Sequence, residues 1–251
     1  MKEPTIFDKY SSCYAATHDK YLPPGIRHDQ FRIQKLEWVS SFPGVSLLDF
    51  GCNSGELCFD LLKLKPEMDL FGIDESVEAI SIARDLANNS GSNINFAFNL
   101  NEISIEKKFD IITLFNVLHH VEEAKREALI STLIQLLNPG GKLLIWEHNP
   151  LNPVTRYLVK VCPFDAGVVL VKIKWLVPLL KQNKVNCYYL EYVNIVPPRW
   201  HKIVMFRWLE SLLKRFPFGA QYRVAVTKKI SFVFAASCSV WFSFHLAKVI
   251  L

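Results

Sequence analysis

The stretch Leu47-Leu48-Asp49-Phe50-Gly51-Cys52-Asn53-Ser54-Gly55 decides the reading of this chain. Residues 45–50 form a short, largely apolar run, which predicts a buried strand. Residues 56–64 have helical spacing, and Pro66 ends it. The glycines between the two let the backbone turn sharply and approach a ligand closely. The helix that follows presents unpaired N–H groups at its start. A second apolar run, 70–73, ends at Asp74. An acid at that place can accept hydrogen bonds from both hydroxyls of a ribose. The order strand, acid, glycine turn, helix, strand, acid therefore points to a ribose-bearing ligand, and a purely structural turn is the competing reading.

Working outward, strands and helices alternate. Ser76 can cap a helix through Ala79, Ile80, Ala83 and Ala87, which Asn88-Asn89-Ser90-Gly91 closes. Strands are predicted at 94–98 and 109–115, a long helix at 122–137, and a fifth strand at 143–146 after the turn Asn138-Pro139-Gly140-Gly141. This alternation predicts an α/β fold, a parallel sheet with helices on both faces. Upstream, Phe31, Ile33, Leu36 and Val39 are expected on one helical face, and Pro43-Gly44 stops the pattern. Downstream, residues 187–196 and 221–226 read as strands. Residues 200–216 read as a helix with Trp208 and Leu212 on one face.

These motifs resemble the class I S-adenosylmethionine-dependent methyltransferases. Residues 49–55 look like that family's Asp-x-Gly-Cys-Gly-x-Gly signature, with Asn53 where glycine is commonest. The resemblance runs on through Phe71-Gly72-Ile73-Asp74, through residues 109–120 ending in Leu118-His119-His120, and through Leu136-Leu137-Asn138-Pro139-Gly140-Gly141. It implies a Rossmann-like, mostly parallel seven-stranded sheet with an antiparallel last strand. It also implies a single domain over 1–229, with a helical cap at 1–43 and a substrate lid at 151–185. S-adenosylmethionine is the implied cofactor. Asp49, Gly51, Cys52, Asn53 and Gly55 would hold its methionine end, Asp74 its ribose, and Asn99 or Asn101 its adenine amine. Asn116, with the backbone at Val117, would flank the sulfonium, and Tyr10 and Tyr14 sit where related enzymes cover the cofactor.

The fifth strand runs into Glu147-His148-Asn149-Pro150, followed by Cys162-Pro163-Phe164-Asp165 and later Phe218-Gly219-Ala220-Gln221-Tyr222. This combination resembles a bacterial-type subgroup of the same family. Polar side chains just past a strand's carboxyl end face the ligand crevice of an open α/β sheet. His148 is therefore the first candidate for a general base, since an unperturbed histidine titrates near neutrality, and His119 and His120 are weighed after it, His120 last. Each can equally serve as a packing residue.

Composition narrows the partners. Half the residues are apolar and 13% aromatic, which excludes a disordered chain. The cysteines at 13, 52, 58, 162, 187 and 238 form no C-x-x-C pair and have no histidine at metal spacing, so neither a metal site nor a disulfide framework is expected. The N-terminus lacks the apolar core of a secretory signal, and a reducing, cytoplasmic location is the expectation. Residues 1–150 carry 14 Lys and Arg against 21 Asp and Glu, whereas residues 151–229 carry 14 against 3. A basic second half suits an anionic membrane surface, a phosphate-bearing substrate or nucleic acid, or simply solvates helices. Residues 230–251 are apolar and long enough for a membrane anchor, or for a helix packed on the protein. The expected function is methyl transfer to a small-molecule or lipid-like acceptor. The alternatives are an RNA methyltransferase using the basic half, which no RNA-binding motif supports, and a non-catalytic binding protein.

Overall fold

Seven strands share one sheet in the order β3-β2-β1-β4-β5-β7-β6. The strands are β1 (Ser46–Phe50), β2 (Asp69–Ile73), β3 (Ile94–Ala97), β4 (Phe109–Phe115), β5 (Leu137–His148), β6 (Val185–Val193) and β7 (Gln221–Lys228). The computed structural model describes residues 6–230 apart from 11, 13, 24–25, 105, 184, 197–199 and 201–202. The expected apolar tail therefore lies, from residue 231 on, outside the described residues. Strands β1 to β5 pair in parallel, and β7 runs antiparallel between β5 and β6. The expected mostly parallel Rossmann-like sheet is thus present.

Alternation along the strands builds the two layers. Leu47, Ile111 and Leu144 face one side, with Trp38 and Val39 of α3 (His28–Ser40), Leu57 and Leu61 of α4 (Glu56–Leu64) and Ile80 and Ala83 of α5 (Val77–Ser90). Leu48, Ile112, Leu143 and Ile145 face the other, with Ile130 and Leu133 of α6 (Glu123–Leu136) and Leu176, Leu179 and Leu180 of α8 (Ile173–Gln182). Burying a side chain of this size stabilises the fold by about 1.5–3 kcal/mol each, which is why neighbouring residues sort so cleanly to opposite faces. Two short helices, α1 (Ile6–Tyr10) and α2 (Tyr14–Asp19), precede the sheet. Two further helices, α7 (Pro153–Val161) and α9 (Val204–Leu213), follow β5 and β6.

Several expectations need correction. Strand β5 begins at Leu137, not at 143, because Asn138 to Gly141 bulge out within the strand. Phe109 pairs with Leu137, but Ile111 pairs with Lys142. Strand β3 stops at Ala97, because Asn99 caps a short turn over Leu100–Glu102. Ile33 is exposed although Val39 is buried, since residues six apart do not share a helical face. Trp208 and Leu212 of α9 are 63% and 52% exposed, so the predicted face of that helix is left outside the core. The proposed lid segment also divides. Asn152, Thr155, Leu158 and Asp165 border a cavity, whereas Val171 and α8 belong to the core under the sheet.

Candidate active site

The chain passes from β1 to β2 on one side and, after β3, crosses to β4 on the other side of β1. Such a reversal opens a crevice at the carboxyl ends of the strands. A cavity of about 1000 Å³ occupies that place, bordered by Asp49, Gly51, Cys52, Asn53, Asp74, Asn99, Asn101, Asn116, His120 and His148. Tyr14 also borders it, packed edge-on to Phe164 at 4.9 Å between ring centroids.

Local chemistry shapes the first half of the cavity. Gly51 has φ +81°, and its N–H donates to the Ile73 carbonyl at 2.7 Å. A Cβ there would stand 2.1 Å from Val117 Cγ2, so the space beside Gly51 is filled by Val117 rather than held open for a ligand. Asn53 adopts φ 49°. Asparagine tolerates this left-handed region better than most residues, which explains how it replaces a glycine here. Its N–H donates to Asp74 Oδ2 at 2.8 Å, and the Ser76 N–H donates to Asp74 Oδ1 at 2.9 Å. Both carboxylate oxygens keep further lone pairs for a ligand. Burial nevertheless pushes Asp74 up, against those two hydrogen bonds. Ser76 caps α5 as expected, accepting the Ala79 N–H at 3.1 Å, and its hydroxyl donates to Asp8 Oδ1, tying α1 to this loop. Asn53 Oδ1 is buried with no hydrogen-bond partner. An orphaned acceptor in the cavity wall, beside an acid braced for a diol, fits a ribose-bearing cofactor with a charged amino-acid end.

Asp49 lies deeper. It accepts the Thr113 hydroxyl at 2.6 Å, and burial raises it to about 6 in spite of Thr113 and the nearby Lys35. Lys35 is itself lowered to about 8, first by burial. Nothing in the sequence set Lys35 apart from a solvated lysine of an N-terminal helix. Asn116, at φ 55°, sets its side-chain amide between the Trp146 carbonyl and Lys35 Nζ; with the amide nitrogen turned toward Trp146 it donates there at 3.3 Å and accepts from Lys35 at 3.2 Å. Asn99 accepts the Asn101 N–H at 2.9 Å and donates to Glu102 Oε1 at 3.1 Å.

The second half centres on histidines. His148 borders the cavity, but burial and the neighbouring His119 lower it to about 3. His120 is lowered to about 4 for the same two reasons. The expectation that they titrate near neutrality is therefore corrected: both stand neutral at physiological pH. His119 is shut away at 1% exposure, with Nδ1 2.5 Å from Glu147 Oε2. Burial alone would lower it, but the Glu147 carboxylate raises it to about 9. Of the Glu147-His148-Asn149-Pro150 motif, only His148 borders the cavity. Glu147 accepts the Leu118 N–H at 2.7 Å, and Asn149 Nδ2 donates to the Pro217 and Gly219 carbonyls at 3.1 and 2.8 Å. The motif is thus half brace and half cavity wall.

Comparison with known proteins agrees with this arrangement. Residues 48–143 match the family model of a methyltransferase domain. The chain is similar to the ubiquinone biosynthesis O-methyltransferase of Coxiella burnetii, 33% identical over 120 residues, covering 47% of this chain and 50% of that protein. It is also similar to the demethylmenaquinone methyltransferase of Lactococcus lactis, 27% identical over 152 residues, covering 57% and 60%. The chain thus spans about half the length of the curated relatives it matches. A solved S-adenosylmethionine-dependent methyltransferase from Archaeoglobus fulgidus superposes with a TM-score of 0.63 at 15% identity, covering 86% of this chain and 100% of that one. The fold is the Rossmann-like methyltransferase fold.

Within this methyltransferase fold, the cavity gathers Asp49, Gly51 to Asn53, Asp74, Asn99, Asn116, His120 and His148. The expected Gly55 does not border it: at φ +82° it closes the turn against Phe96, which a Cβ there would meet at 2.6 Å. The side chain of Tyr10 lies outside the described residues. The braces Lys35, Thr113 and Glu147 could not be singled out from spacing, because each acts through contacts made across the sheet.

Proposed function

We propose that this chain transfers a methyl group from S-adenosylmethionine to a small-molecule or lipid-like acceptor. The observation that carries the reading is Asp74, braced by two backbone N–H groups beside the left-handed 51–55 turn, at the reversal point of this sheet. When bound, S-adenosylmethionine supplies a methyl group on a positively charged sulfur. Asp74 binds the ribose hydroxyls, and the 51–55 turn with Asp49 holds the methionine end. Asn99 accepts from the adenine amine. The Asn116 side chain is tied to Lys35 and Trp146 and so keeps the wall beside the sulfonium in place. His148 is neutral and can take a proton from the acceptor at a ring nitrogen, though at about 3 it is a weak base. Alignment within the cavity then supplies much of the rate. Residues 152–165 serve as the acceptor-side lid. Names of the relatives above refer to quinone-type molecules, which supports a small acceptor over nucleic acid.

Asp74→Ala removes about two charge-assisted hydrogen bonds to the ribose, each worth roughly 1.5–3 kcal/mol. Affinity for S-adenosylmethionine should fall at least about tenfold by calorimetry. Unchanged affinity would take Asp74 out of the site.

We also propose an anionic membrane surface as a partner. Among the described residues no helix is long and apolar enough to cross a membrane. Helix α7 turns Val154, Thr155 and Leu158 toward the cavity and leaves Arg156, Tyr157, Lys160 and Val161 exposed. Apolar and basic side chains on one exposed helix suit a headgroup layer. Each basic residue near such a surface contributes about 1 kcal/mol. Arg156→Ala with Lys160→Ala should therefore weaken co-sedimentation with anionic vesicles roughly 30-fold. Equal sedimentation of the double variant would sink the proposal.

A further inference from the structure

Beside the cavity lies a cluster of side chains to which the methyl-transfer reading gives no chemical role. His119 and His120 follow β4, and Asp165 lies in a single turn after α7. His119 Nδ1 is engaged by Glu147 Oε2 at 2.5 Å. Its other nitrogen, Nε2, is buried and makes no hydrogen bond, with Asp165 Oδ1 3.5 Å away. His120 Nε2 stands 3.5 Å from the same carboxylate oxygen. One donor atom from each of the three residues lies within 4.8 Å of the others.

We propose that His119, His120 and Asp165 bind a divalent transition-metal ion. Two imidazoles and one carboxylate are a donor set suited to zinc, iron(II) or manganese, and poorly suited to calcium or magnesium, which prefer all-oxygen shells. The Glu147 bond has the form of an outer partner in a metal site. A carboxylate takes one ring nitrogen of a ligating histidine, fixes the ring's orientation and leaves the other nitrogen for the ion. That other nitrogen points at the remaining two donors and has no hydrogen bond of its own, an arrangement costly to bury unless something accepts its lone pair or its proton. Three protein ligands leave coordination positions open. His120 and Asp165 border the cavity, whereas His119 does not. On the methyl-transfer reading, and resting on it, an oxygen of the acceptor would take such a position and be polarised there.

The competing arrangement is a sealed imidazolium held between Glu147 and Asp165, which needs no ion. The test uses the full chain, stripped with a chelator and titrated with Zn²⁺ by calorimetry and with Co²⁺ by visible absorption. The expected result is one ion per chain, with His119 and His120 resonances shifted on Zn²⁺ addition. Glu147→Gln should weaken affinity about 10–100-fold, as loss of an outer partner does. His120→Ala and Asp165→Asn, which remove ligands outright, should weaken it by at least about 100-fold. No saturable binding by the wild type, or equal affinity in wild type and both ligand variants, overturns the site. Should a variant lose its fold, the wild-type spectra decide: binding that leaves the His119 and His120 resonances in place also overturns it. Calorimetry with S-adenosylmethionine on the stripped chain reports on the methyl-transfer reading separately.

Discussion

Gly51→Val is expected to abolish binding of S-adenosylmethionine and to lower the melting temperature. At φ +81° a β-branched residue is a conformational outlier, costing roughly 1–2 kcal/mol. Its Cβ would also lie 2.1 Å from Val117 Cγ2, and the stiff Val117 side chain cannot turn aside. Overpacking of this kind adds about 1–3 kcal/mol. Together they amount to about 2–5 kcal/mol, or a drop of roughly 4–20 °C for a chain of this size. The 51–55 turn must shift to relieve the clash, and it carries the Asn53 N–H away from Asp74. The damage thus comes through protein packing and not through a ligand excluded from open space. Calorimetry and thermal unfolding on the same sample check both parts. Retained cofactor affinity in Gly51→Val would remove this loop from the site.

His148→Ala is expected to lower turnover about 100-fold with cofactor affinity nearly constant. General-base catalysis spans about 10²–10⁴-fold, and a base lying near 3 belongs at the weak end of that range. Its position also separates two roles. His148 borders the cavity and packs against His119 at 5.0 Å between ring centroids. Should the substitution cut cofactor affinity and turnover equally, His148 is a packing residue. Single-turnover rates, measured with saturating cofactor, distinguish the outcomes.

Much of the first half of the cavity is legible in the sequence. The strand-turn-helix at 45–64 reads from local spacing, because a buried strand, a positive-φ turn and a helix each leave marks within a few residues. Asp49 and Asp74 fall at the ends of adjacent parallel strands, and parallel neighbours bring their carboxyl ends to one edge of the sheet. The antiparallel β7 came from family resemblance and is present. Less was legible after β5. The predicted apolar faces at Ile33 and at Trp208 and Leu212 are exposed, since periodicity marks a face but does not say what covers it. The segment proposed as a lid splits between cavity wall and core because its apolar residues look alike in sequence.

The sequence by itself determined the α/β alternation, the glycine turn and the two acids, all of which depend on residues close together in the chain. Only the tertiary structure decided the charge states and partnerships. Lys35 is a lysine on an N-terminal helix until the packing of α3 buries it beside Asp49. His119 follows β4, Glu147 lies on the neighbouring β5, and Asp165 returns to them through α7. No local spacing encodes that return. The crossovers set which side chains meet, and burial then makes each meeting strong, because a charge removed from water is answered only by the groups packed against it.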